Sequence, residues 1–178
     1  MLATADYPAF PAEGSLLSPE AKATYDAVRR LPPEKWRVAW RVGIAPCLPT
    51  AGLRHLRDAL RADDGRLIQG RTVSPTLLES EDAGHEPCMG ACAIGFAGWK
   101  GLGLSSVFTL NEWFAATVNR AGELLPERYV PQFFTRWFDE TPRAEMIREL
   151  LPEVERSLAS REEGRWNADR AMEGAARA

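Results

Sequence analysis

Cys88-Met89-Gly90-Ala91-Cys92-Ala93-Ile94-Gly95-Phe96-Ala97-Gly98-Trp99 is the stretch on which the reading of this chain turns. It carries no charge, and glycine and alanine are interleaved with larger apolar side chains. A segment with no polar face to offer water predicts a helix buried all round, at the centre of the fold. Its small residues predict close approach to neighbouring helices, with Gly95 and Gly98 facing them. Gly101 and Gly103 are then read as the turn that ends it. A membrane span competes, because Cys88 to Val107 is long enough. Lys100 and the glycines weigh against a span, and the remainder of the chain is soluble in character.

Outward from this segment the pattern is helical. Toward the N-terminus, Leu53, Leu56 and Leu60 recur at spacings of three and four, predicting a helix from Thr50 to about Ala62, closed by the turn Asp63-Asp64-Gly65. Trp36 and Trp40 share a face of a helix over Glu34–Val42, which Gly43 and Pro46 are expected to stop. Ser18-Pro19-Glu20 starts an earlier helix that Pro32-Pro33 ends. Residues 1–17, with Tyr7 and Phe10 among prolines, read as an extended arm. Leu67–Val73 is the one plausible strand, and Ser74-Pro75 is expected to cap a short helix through Leu78.

Toward the C-terminus, Thr109 is expected to cap a helix over Leu110–Ala121, ended by Gly122. Glu127–Phe138 carries Phe133, Phe134, Trp137 and Phe138 on one broad face. Thr141-Pro142 opens a last helix with Met146, Ile147, Leu150 and Leu151 inward, which Pro152 kinks or restarts. From Arg161 the chain is charged and alanine-rich, an exposed tail. The fold class expected is all-α, or α with a minor β-hairpin. It is a single helical domain over 18–160, with an arm over 1–17 and a tail over 161–178.

Composition agrees with a globular chain that buries a core unaided. Hydrophobic residues make up 45% and charged residues 26% of 178. Residues 1–75 carry eleven Lys and Arg against eight Asp and Glu, a balance of +3; the remainder carries eleven against seventeen, −6, for a net −3. That is no basic footprint for nucleic acid. Three cysteines, an odd and small number, argue against a secreted disulfide scaffold. With no apolar leader at the start, a cytoplasmic location, or a place in a particle assembled inside the cell, is expected.

Four groups invite a chemical reading. Cys88 and Cys92, four apart, would share a helical face and with His85 could bind zinc, with Cys47 or His55 arriving from elsewhere. The spacing lacks a second cysteine pair, so buried small hydrophobes are the preferred reading and no metal or cofactor is expected. Cys88 near a helix start, with His85 or His55 as base, could instead be a nucleophile. The glycine series Gly95 to Gly103 with Lys100 suggests a phosphate loop, but Lys100 is followed by glycine rather than Ser or Thr. Asp139-Glu140 would need a second, separately placed carboxyl to act as acid and base, and is read as surface or capping.

Ala91-Cys92-Ala93-Ile94-Gly95, followed downstream by Trp137-Phe138-Asp139-Glu140-Thr141-Pro142, resembles a group of small uncharacterised bacterial and phage proteins. Over residues 85–158 the resemblance implies a cysteine–glycine helix, a polar turn and a final amphipathic helix; it implies no activity. The expected function is therefore non-enzymatic: an interaction or structural component of a larger assembly, with Tyr7, Phe10, Phe134, Trp137 and Trp166 as contacts for a protein partner or a second copy. A cysteine-dependent enzyme using Cys88 or Cys92 with His85, and a regulator with a structural metal, are the alternatives.

Overall fold

The computed structural model describes Pro32, residues 34–79, Asp82 and residues 84–175, with side chains described as far as Gly164. The contacts given below fall within one compact unit, Pro33–Ala178. The arm over residues 1–17, the helix from Ser18, and the side chains of Tyr7, Phe10 and Trp166 lie outside the described residues.

The chain is mainly helical, with one two-stranded hairpin. Its first described element is a run of three pieces: α1 (Glu34–Val38), a π-helical turn (Ala39–Ile44) and α2 (Ala45–Cys47). The helix thus passes through Gly43 and Pro46, where the sequence predicted a stop. Pro46 has no N–H to give, and it falls just after the π-turn has replaced the i→i−4 ladder. Gly43 stays helical because it is pressed against the next layer: a Cβ there would lie 2.9 Å from Leu125 Cγ. The run keeps Trp36, Trp40 and Ile44 in the core.

Helix α3 (Thr50–Ala62) buries the expected Leu53, Leu56 and Leu60. It ends in a Schellman motif: Asp64 N–H donates to Ala59 O at 2.9 Å while Asp63 turns left-handed at φ 49°. An aspartate in this conformation is strained unless held. Arg143 holds it, donating to Asp63 Oδ1 at 2.6 Å, to Leu67 O at 2.7 Å and to Asp64 O at 2.9 Å.

β1 (Val73–Ser74) pairs antiparallel with β2 (Gly90–Ala91), Val73 opposite Ala91. The expected strand over Leu67–Val73 shrinks to this, plus a parallel bridge from Leu67 to Ala91. No helix follows Ser74-Pro75; residues 77–79 form a turn, with Glu79 N–H donating to Thr76 O at 3.1 Å.

The central helix α4 (Ala93–Leu102) begins later than predicted, because Cys88–Ala91 is extended. Ala91 N–H donates to Arg66 O and Cys92 N–H to Thr72 O, distant partners that claim this part of the apolar run for the hairpin. From Ala93 to Gly98 every residue is buried. The expected approach to a neighbouring helix holds for Gly98, where a Cβ would lie 2.5 Å from Trp113 Cζ3; Gly95 faces the hairpin instead, where a Cβ would lie 3.1 Å from Ala91 Cβ and from Thr72 O. Gly101 belongs to the contact with α3 rather than to a turn, since a Cβ there would meet Gly52 N at 2.5 Å. Gly103, at φ 72°, alone closes the helix.

Helix α5 (Val107–Leu124) starts earlier than predicted and runs past Gly122. Ser106, not Thr109, is its cap, with Ser106 Oγ accepting from Thr109 N–H at 3.2 Å. α6 (Gln132–Glu140) and α7 (Arg143–Ala175) complete the fold. α7 continues through Pro152 rather than restarting. It also continues past Arg161, whose guanidinium donates to Ala45 O at 2.6 Å and Thr50 Oγ1 at 2.9 Å.

One buried carboxylate fastens α7 to the first run. Glu153 accepts two 2.6 Å hydrogen bonds from Arg41 and one of 2.6 Å from Arg156, while Glu149 accepts from Arg37 at 3.0 Å. Burial alone would push the Glu153 carboxyl up; Arg41 and Arg156 outweigh it and hold the group below its ordinary range. This is why a glutamate can lie in the core stripe between Leu150 and Val154.

Candidate functional site

The residues on which cysteine chemistry would rest are not brought together. Cys88 and Cys92 do not share a helical face, since Cys88 lies in extended chain and Cys92 is the N-cap of α4. The Cys88 thiol donates to Gly90 O at 3.2 Å. His85 stands out in solvent, its Nδ1 3.0 Å from Asp82 Oδ2. Among the described residues no three His, Cys, Asp or Glu side chains gather as a metal site would need.

The thiols are also shifted the wrong way for a nucleophile. Burial pushes Cys88 and Cys47 up, and it pushes Cys92 up to about 12 although main-chain amides of Gly95 and Ile94 oppose it. A reactive cysteine needs its thiolate stabilised, and here loss of solvent outweighs the helix N-terminus.

The aromatic face was predicted to supply contacts, and the structure corrects that for Phe134. At 1% exposure it is core, tilted against Trp40 at 5.0 Å and against Trp36 at 6.4 Å. Trp137 is half-buried, stacked flat on Trp36 with ring centroids 3.6 Å apart. Both are used in joining α6 to α1.

Asp139 is the ionisable group in the least comfortable place. Burial raises its carboxyl to about 6, against the Gly70 N–H that donates to it at 2.9 Å, and Glu140 adds repulsion. Beside it the Gln69 amide donates to both Phe138 O and Thr141 O, so two residues of the loop before β1 strap the end of α6. A carboxyl so shifted favours its protonated form when folded. Stability is therefore unaffected below the ordinary aspartate pKa of about 4, falls as pH rises toward 6, and stays lowered above that. Asp139→Asn keeps an oxygen for Gly70 and removes the charge. We expect it to melt higher than the parent above pH 6 and to match it near pH 4, in thermal melts across that range.

What remains is a surface. Leu78 and Met89, at 99% and 67% exposure, are the two most exposed large hydrophobic side chains among the described residues, and Leu77 and Phe108 are each 45% exposed. The fold places all four around the hairpin. Leu77 and Leu78, in the turn after β1, line a cavity of about 200 Å³ with Thr72, Val73, Thr76 and Asn111 of α5. Phe108 lies one helical turn before Asn111 on the same face. Met89 donates its N–H to Ser74 O at 2.7 Å, which sets it beside the same turn, and Pro87 bridges to Ser106 next to Phe108. Main-chain pairing thus brings exposed apolar residues from three separate stretches around the turn after β1, and these are termed the rim. Sequence reading missed it because Leu77-Leu78 was taken for a short helix and Met89 for part of a buried one. The available signal was an apolar pair standing between Pro75 and the acidic run that begins at Glu79.

No protein family, curated protein or solved structure matches the chain. No helix among the described residues is long and apolar enough to cross a membrane.

Proposed function

We propose that this protein works by binding another protein, as a non-enzymatic interaction or structural component of a larger assembly, and that its contact surface is the rim formed by Leu77, Leu78, Met89 and Phe108. The observation that carries this reading is that the two most exposed large apolar side chains among the described residues, Leu78 and Met89, stand around one turn with exposed Leu77 and Phe108 near it. Exposed apolar groups scattered singly need no explanation, whereas a group that is contiguous and bordered by polar residues marks a surface awaiting cover. The thiols, pushed up by burial, and His85, paired with Asp82 in solvent, support no competing catalytic site. Leu78 and Met89 contribute almost nothing to the fold at their exposure, so the sequence keeps them there at no gain to stability.

The test is site-specific photo-crosslinking in the cells that make the protein. A benzophenone side chain placed at position 78 or 108 is expected to give one adduct of defined mass, lost when Met89→Asp is added. The same probe at exposed Glu127 on the α5–α6 connection should not give it. Absence of any adduct at 78 and 108, or the same adducts from all three positions, would remove the reading.

A further inference from the structure

The rim is apolar, but its border is acidic, and that decides which partner fits. Glu79, Asp82 and Glu86 line a cleft of about 550 Å³ with His85, starting one residue beyond Leu78. Glu112 lies one turn beyond Phe108, exposed on the same helix. Two of the positive groups beside the cleft are paired within it. Arg71 pairs with Glu79 at 3.3 Å, and His85 with Asp82 at 3.0 Å. The Glu86 and Glu112 carboxylates, in contrast, make no hydrogen bond or ion pair among the described residues. An apolar centre bordered by carboxylates, two of them unpaired among the described residues, presents a negative field beside a desolvating patch.

Resting on the binding function above, we infer that the rim receives a basic, apolar-faced segment of another protein: a short stretch with one or two large apolar anchors and lysine or arginine on either side. The anchors seat against Leu77, Leu78, Met89 and Phe108, with the unbranched methionine adapting to their shape. The flanking cations sit over Glu86 and Glu112 and steer approach. An anionic lipid surface or a nucleic acid carries the border's own sign and is repelled by it. A segment with acidic flanks is rejected for the same reason, so the carboxylates select and the apolar groups hold.

The full-length protein tests this with three labelled eighteen-residue helical peptides as probes. One has a leucine face flanked by lysine, one the same face flanked by glutamate, and one a serine face flanked by lysine. Fluorescence anisotropy should show the leucine–lysine peptide bound at least about tenfold more tightly than either other. Leu78→Ser with Met89→Ser should remove about that preference at any salt. Glu86→Gln with Glu112→Gln should weaken binding several-fold at low salt and little at high salt, where the Debye length is about 3 Å. Glu145→Gln with Glu162→Gln, on α7, should change nothing. Equal binding of the lysine- and glutamate-flanked leucine peptides, an equal effect of the two glutamate pairs, or capture of phosphatidylserine vesicles would each overturn the inference. If these fail while the crosslink at position 78 persists, the partner is recognised by other chemistry and the binding function stands. If both fail, both fall.

Discussion

Gly52→Val is expected to lower the melting temperature by roughly 10 °C. The reason is backbone against backbone. A Cβ on Gly52 would lie 2.9 Å from the Ala97 carbonyl carbon, with the carbonyl oxygen nearer still, and Gly101 returns the same restriction against Gly52. No rotamer change relieves such a contact, so α3 and α4 would have to move apart along a seam that holds Leu53, Leu56 and Ile94. Overpacking typically costs about 1–3 kcal/mol and more where the neighbour cannot yield. In a chain of this size each kcal/mol shifts the melting temperature by about 2–4 °C. Gly164→Ala gives the contrast. Nothing lies within 4 Å of a Cβ there, so only helix propensity acts, and it should gain up to about 1 kcal/mol. Thermal melts of the two variants check both signs. Parental stability in Gly52→Val would mean that the two helices do not meet at glycine.

Phe134→Ala is expected to destabilise by about 3–5 kcal/mol, the usual range for emptying a buried aromatic site. Its ring touches Trp36, Trp40, Trp137 and Phe138, so the cavity would open at the junction of α6 with the first helical run. The sequence reading named Phe134 as a partner contact, and a contact residue would behave in the opposite way: stability unchanged, association weakened. Leu78→Ala supplies that opposite behaviour, with a stability change within about 0.5 kcal/mol. Chemical denaturation of the two variants separates core from surface. If Phe134→Ala leaves the unfolding midpoint in place, the ring is not in the core.

Periodicity within one element was legible. Leu53, Leu56 and Leu60 declared α3, and Met146, Leu150, Val154 and Leu158 declared the inward stripe of α7, because a helix needs only its own spacing to be seen. What escaped depends on residues far along the chain. Cys88–Ala91 has the same small apolar composition as the helix that follows it. Only Arg66 O and Thr72 O, waiting to accept from Ala91 and Cys92, make it extended. Gly43 and Pro46 are local stop signals, the first overruled by packing against Leu125 and the second absorbed by the π-turn before it. Ser106 and Thr109 are both sound caps, and the structure chose the earlier one. The rim was harder still, since its members come from three stretches, none of which is distinctive alone. Asp139 gives no local sign of its raised carboxyl, which comes from solvent removed by the fold and prevails over the opposing Gly70 N–H.

The π-turn at Ala39–Ile44 has a consequence for the length of the chain as well as for its chemistry. A turn of this kind holds one residue more than the α-helix it interrupts, so it behaves as an insertion that the protein has kept. Losing one residue here, for instance the solvent-facing Val42, would restore ordinary helical winding and leave the helix faces upstream and downstream nearly in register, because the π-turn already spreads one extra residue over the same arc. Trp36 would keep its stack on Trp137 and Arg37 its bond to Glu149, whereas one residue lost from an unbroken helix such as α3 would turn its two halves by about 100° against each other. Sequences descended from this one can therefore shed a codon at the π-turn and keep their core, a tolerance that the unbroken helices do not share.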